Sequence, residues 1–123
     1  MEGNKRAVGR VGEDAAVDYY TSQNFRIIGR NVHFGKVGEI DAIFVDESSE
    51  TLVICEVKYR KNNDFGDASL AVNFKKQNKI RNLTEIFLAN NAKYRDYYVR
   101  FDVCEVYSAE NGGLLVNVIE SAF

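Results

Sequence analysis

A chain of 123 residues, 46% of them hydrophobic, is long enough to bury a core and short enough for residues 1–123 to be read as a single domain. Its net charge of −2 excludes a protein that binds polyanions by global charge alone, though not a local basic surface masked by acids elsewhere. The apolar runs are too short to cross a membrane, and Met1-Glu2-Gly3-Asn4-Lys5-Arg6 carries no hydrophobic signal segment, so a cytoplasmic protein is expected.

Val8, Val11, Ala15 and Tyr19 recur at helical spacing and predict a first helix over residues 7–22, ended by Asn24. Residues 25–30 form a short strand candidate, and His33, the sole histidine, falls in the loop that follows. Two strands, 39–45 and 51–59, flank Glu47-Ser48-Ser49-Glu50, a hairpin loop. Residues 62–67 read as loop. Asn73 is a candidate cap for a second helix running to about residue 89, with Ile80, Leu83 and Phe87 on its buried stripe. A fourth strand over 98–107 and a turn at Asn111-Gly112-Gly113 lead to a fifth over 114–119. Cys55 and Cys104 sit inside apolar strand patterns and read as reduced core residues. The order αβββαββ predicts a compact α/β domain with a mixed sheet.

The hairpin carries chemistry. If Asp46 and Thr51 are opposed, Val45 faces Leu52, Ile43 faces Ile54, Asp41 faces Glu56 and Glu39 faces Lys58. Directly opposed side chains stand roughly 4.5–5.5 Å apart at Cβ. Leu52-Val53-Ile54-Cys55 is apolar on both faces, as in a central strand, and beyond it Glu56 and Lys58 share one face. Opposed carboxylates repel unless a cation lies between them. Mg²⁺ fits such a pair, because it takes few carboxylates and keeps waters and phosphate oxygens. Lys58 could then orient or deprotonate an attacking water, or balance charge during phosphodiester hydrolysis. From two strands alone, a cross-strand ion-pair network accounts for these residues equally well.

Asp41…Glu56-Val57-Lys58 resembles the core motif of PD-(D/E)xK nucleases, without the proline of that name. Gly9-Arg10-Val11-Gly12-Glu13, Gly38-Glu39-Ile40-Asp41, Glu56-Val57-Lys58-Tyr59-Arg60, Arg100-Phe101-Asp102-Val103 and Ile119-Glu120-Ser121-Ala122-Phe123 extend the likeness along nearly the whole chain. In that order they resemble the YraN-type family, a group similar to archaeal Holliday-junction resolvases. The resemblance implies a restriction-endonuclease-like fold, with a central mixed five-stranded sheet flanked by helices. It also implies Mg²⁺-dependent cleavage of DNA, with Mn²⁺ as a substitute, on structured or branched substrates and by a two-fold homodimer. By the same resemblance Asp41 and Glu56 match the metal-binding acids, Lys58 the catalytic lysine, and Glu13 the first-helix acid that completes the site.

Lys75, Lys76 and Lys79 oppose the dipole of the second helix at its N-terminus, a conflict that a bound phosphate would remove. With Arg60 and Lys61, and with Arg10 one turn before Glu13, they make a candidate DNA-backbone surface. Lys76 leads this group, since it falls on the side of Ile80 and Leu83. Asp102 is expected to make structural hydrogen bonds. The alternative function is a non-catalytic nucleic-acid-binding or adaptor module on a nuclease fold.

Overall fold

The computed structural model describes residues 2–60, 72–108 and 111–123, the side chains of residues 2–9 excepted. Helix α1 spans Glu2–Ser22, strands β1 to β3 span Arg26–His33, Glu39–Asp46 and Thr51–Arg60, helix α2 spans Phe74–Asn90, and strands β4 and β5 span Tyr98–Ser108 and Leu114–Ile119. The strands form one sheet in the order β1-β2-β3-β4-β5. Only β3 and β4 run parallel, joined by the crossover that carries α2, while every other pair is antiparallel. This is the mixed five-stranded α/β sheet expected for a restriction-endonuclease-like fold.

The helices cover opposite faces. On one side, Ala16 and Tyr20 of α1 pack with Ala42, Phe44, Val53, Cys55, Cys104 and Val106. On the other, Ile80, Leu83 and Phe87 of α2 pack with Ile40, Ile43, Val45, Leu52, Ile54 and Val103. Asn73 caps α2 by accepting from the Lys76 amide at 2.8 Å, as a helix start requires. Both cysteines are free and buried. Among the described residues no helix is long and apolar enough to cross a membrane.

The buried stripe of α1 differs from the periodic reading. Gly12, Ala16 and Tyr20 face the sheet, whereas Val11 is 42% exposed. The reason is a close approach. A Cβ on Gly12 would lie 3.1 Å from Val57 Cγ1 and 3.2 Å from Val106 Cγ2, so the helix rests on the sheet through a residue that no hydrophobicity pattern marks. The loop expected over 62–67 lies outside the described residues.

Candidate functional site

The β2–β3 register runs from Asp46–Thr51 through Ile43–Ile54 to Ala42–Cys55, as the four-residue loop dictates. It stops there. Asp41 then satisfies β3 with its side chain, accepting a hydrogen bond from the Val57 amide at 2.8 Å. Side-chain alternation also breaks at this point, because Ile40 and Ile43 both pack toward α2. Neither of the oppositions predicted beyond that point, Asp41–Glu56 and Glu39–Lys58, is a pair of this register. Glu39 pairs with His33 of β1, and its carboxylate lies 3.3 Å from the imidazole Nε2. The end of the β2–β3 ladder is therefore where Asp41 and Glu56 come together.

These two acids perturb each other. Burial pushes the Glu56 carboxyl up to about 7, and the charge of Asp41 adds to the shift. Burial also raises Asp41, against the lowering effect of the Val57 amide and of a hydrogen bond from Glu56. Two desolvated carboxyls that each favour the neutral form have too little positive charge around them. Such a pair suits Mg²⁺, which needs only one or two carboxylates and takes its other ligands from water and phosphate. Among the described residues, no group of three or more His, Cys, Asp or Glu side chains is gathered closely enough to hold a metal ion.

Cations approach the pair from two elements. Lys76, in the first turn of α2, brings Nζ to 3.8 Å from Glu56 Oε1 while its side chain stays 44% exposed. Lys58 follows Glu56 on the same face of β3; it is exposed, and its charge favours the ionised form of Glu56. Lys79 lies across Gly38, where an added Cβ would meet Lys79 Cε at 2.8 Å. The positive φ of 156° at Gly38 favours glycine just before the Glu39-Ile40-Asp41 segment, whereas the flexible end of Lys79 could move aside. Lys75 is exposed. Lysines 75, 76 and 79 thus stand at one end of α2, and of the three Lys76 is the one in contact with the acids.

Glu13 sits on α1 next to Gly12, the residue that touches Val57. Its Oε1 accepts from Asn31 Nδ2 at 2.8 Å and lies 3.5 Å from Arg30 Nη2. Arg30 also pairs with Asp14 at 2.7 Å. Glu13 therefore has Arg30 as its ionic partner, and Arg10, whose carbonyl accepts from Arg30, is exposed. Asn31 was no candidate by sequence, although an asparagine interrupting a strand pattern is itself a signal.

Arg60 points away from solvent. Its Nε donates to Glu105 at 2.9 Å, in a pair of which only 16% and 3% of the two side chains are exposed. Glu105 also accepts from Tyr107 and Asn117, so this acid is fully engaged. Lys61 lies outside the described residues. Asp102 makes the structural hydrogen bonds expected of it, accepting from Tyr20 at 2.6 Å, from Arg100 and from the Ser121 amide at 2.9 Å.

Comparison with known proteins places the chain. The model of an uncharacterised protein family, UPF0102, matches residues 12–106, a span that includes Glu13, Asp41, Glu56 and Lys58. The chain belongs to the UPF0102 family. A UPF0102 protein of Acetivibrio thermocellus is 40% identical over 98% of this chain and 93% of its own length. A second, from Caldicellulosiruptor bescii, is 39% identical over 98% of this chain and 99% of its own length. A UPF0102 protein of Clostridium botulinum is 37% identical over 94% of this chain. UPF0102 is the YraN-type group to which the sequence blocks pointed.

Proposed function

We propose that this UPF0102 protein is a divalent-metal-dependent endonuclease acting on DNA, with structured or branched DNA as the substrate class. The observation that carries the reading is the Asp41–Glu56 pair. Both acids are half-buried, both are raised in pKa, and the only ion pair either makes among the described residues is the 3.8 Å contact with Lys76. A purely structural ion-pair network would have neutralised them.

Asp41 and Glu56 would hold Mg²⁺, with Glu13 as the candidate third acid from α1. A bound Mg²⁺ would supply charge neutralisation at the phosphodiester and acidify water. Lys58 would orient the attacking water and balance charge gathering on the phosphate oxygens. Lys76 and Lys79 would bind the DNA backbone beside the acids, and the positive charge of these lysines would favour approach of a polyanion despite the net charge. Two equivalent strands in a branched substrate would be served by a two-fold homodimer.

The test is cleavage of end-labelled four-way junction and duplex DNA with Mg²⁺. Expected is metal-dependent cutting that falls by about 10²–10⁴ in Glu56→Ala and in Lys58→Ala, the range for loss of a group acting on the reacting atoms. Unchanged cutting by both variants would overturn the assignment. One observation favours the adaptor reading, namely that Glu13 is bonded to Asn31 and Arg30 and not gathered with the other acids. Metal-free DNA binding with no cleavage under any divalent ion would decide for it.

A further inference from the structure

Lys58 has an acid beside it that it does not use. In the parallel β3–β4 register Lys58 stands directly opposite Glu105. Opposed residues of adjacent strands share a face, and the strands lie about 4.8 Å apart. Ile54 and Val103, an even number of positions earlier on the two strands, pack toward α2, so Lys58 and Glu105 fall on that face as well. Glu105 is 2% exposed, whereas Lys58 is exposed. A buried carboxylate with a lysine next to it has reason to pair with it, because an uncompensated buried charge is costly. Yet among the described residues Lys58 makes no ion pair.

The reason is Arg60. Two positions beyond Lys58 on β3, it lies on the same face and donates from Nε to Glu105 Oε2 at 2.9 Å. Only 16% of its side chain is exposed. The other carboxylate oxygen, Oε1, accepts from the Tyr107 hydroxyl at 3.1 Å and from Asn117 Nδ2 at 3.3 Å. Arg60 and Tyr107 oppose each other in register, so the carboxylate is drawn to the pair that follows Lys58 along the strands. Glu105 thus has its charge compensated and both oxygens occupied. Lys58 is left with a satisfied acid on one side and, two positions back on β3, Glu56, on which its charge acts.

We infer that Arg60 is a positioning residue: by holding Glu105 it keeps the Lys58 ammonium available to the Asp41–Glu56 side of the site. What the available lysine does there rests on the nuclease reading; that Arg60 makes it available does not. The device is exclusion. Without Arg60, Glu105 would be a buried charge, and the lysine opposite it in register would turn across the strand pair to neutralise it. The two cations suit their places, since a guanidinium holds a carboxylate in fixed geometry while an ammonium on a flexible stem is readily redirected.

The experiment reads the capture of Lys58 through stability, without DNA. In the wild-type background Lys58→Met should shift the urea midpoint by no more than about 0.3 M, as for an exposed lysine without an ionic partner. In an Arg60→Gln background the same substitution should lower the midpoint by about 0.5 M or more, because Lys58 then serves Glu105. Adding Glu105→Gln should abolish that coupling. An Arg60 that only braces the strands would lower the midpoint in Arg60→Gln but leave Lys58→Met as silent as in the wild type, and that result would overturn the inference. Should Arg60→Gln be too unstable to measure in buffer, the same comparison is made in trimethylamine oxide, which strengthens burial. Cleavage is scored separately. Arg60→Gln should lower kcat about tenfold or more with little change in KM for DNA, and Arg60→Gln/Glu105→Gln should recover it. Stability coupling with no cutting by any protein, wild type included, would sink the nuclease reading and leave the role of Arg60 standing. Cutting by the wild type without the coupling would do the reverse.

Discussion

Two acids on neighbouring strands, one buried and one half-buried, meet opposite fates in this molecule. Asp102, opposite Cys55 in the β3–β4 register, is fully buried and accepts from Tyr20, from Arg100 through two nitrogens, and from the Ser121 amide. Glu56, one position along β3, has a second acid beside it and one lysine at 3.8 Å. Asp102 is the more deeply buried of the two, yet it is compensation that sets them apart. A buried acid surrounded by donors and a bidentate guanidinium is a structural joint, here tying α1, β4 and the Ser121 segment together. A pair of half-buried acids short of cations keeps its energetic deficit open.

The widest separation between the two regions is expected in stability. Asp102→Ala strips the nearer of two carboxylate partners from a half-buried Arg100 and takes the Asp102 acceptor from the Tyr20 hydroxyl and the Ser121 amide, a change that costs about 3–5 kcal/mol. Chemical denaturation should show this as a large drop in the urea midpoint at unchanged slope. Asp41→Ala should cost far less, since it removes repulsion together with the bond to the Val57 amide. Equal losses in the two variants would mean that the Asp41–Glu56 pair is a structural joint as well.

The pH response gives a second, smaller test. Glu56 has a folded value near 7, above the ordinary carboxylate range, so its contribution to stability is complete below that range and is lost as pH rises through about 7. Glu56→Gln removes the group that resists ionisation. Its melting midpoint should exceed the wild type's by roughly 3–10 °C at pH 8 and match it near pH 4.5. The same sign governs metal. Ligand acids must deprotonate to bind, so Mn²⁺ affinity should fall as pH drops below about 7. A pH-independent difference between Glu56→Gln and wild type would remove the argument for a frustrated pair.

Much of this contrast was legible in the sequence, for reasons that can be named. The four-residue loop after Asp46 fixes the β2–β3 register, and register decides which side chains oppose. Asn73 announces the start of α2, and with it the position of Lys76 over Glu56. What could not be read depends on where regular structure ends. Period-two alternation extrapolates Glu39 onto Lys58, but β2 leaves β3 after Ala42 and Glu39 turns to His33. Apolar periodicity chooses Val11 for the inner face of α1, because nothing in it rewards Gly12 for having no side chain. Arg60 reads as a free cation after the catalytic strand, and only the parallel neighbour β4 reveals Glu105 as its partner.

The smallest expected effect is the one that separates the two regions most cleanly, because it has two signs. In the closed cluster, Arg100 can only be missed, and Arg100→Ala should lower stability with no compensating gain. In the open pair, Lys76 would stand in for the proposed metal ion. Its side chain is 44% exposed, so its pairing with Glu56 is a weak one, worth up to about 1 kcal/mol or roughly fivefold in an equilibrium. Lys76→Ala should therefore tighten Mn²⁺ binding by up to about fivefold above pH 8, where the acids are ionised and the competing charge is gone. The same substitution should weaken DNA binding and reduce the slope of log affinity against log salt by about 1, as loss of a single phosphate contact does. Gain for the metal and loss for the polyanion cannot both come from a general disturbance of α2, which would lower the two together. Parallel changes in the two titrations would make Lys76 an ordinary surface ion pair and return the Asp41–Glu56 pair to a partly neutralised network.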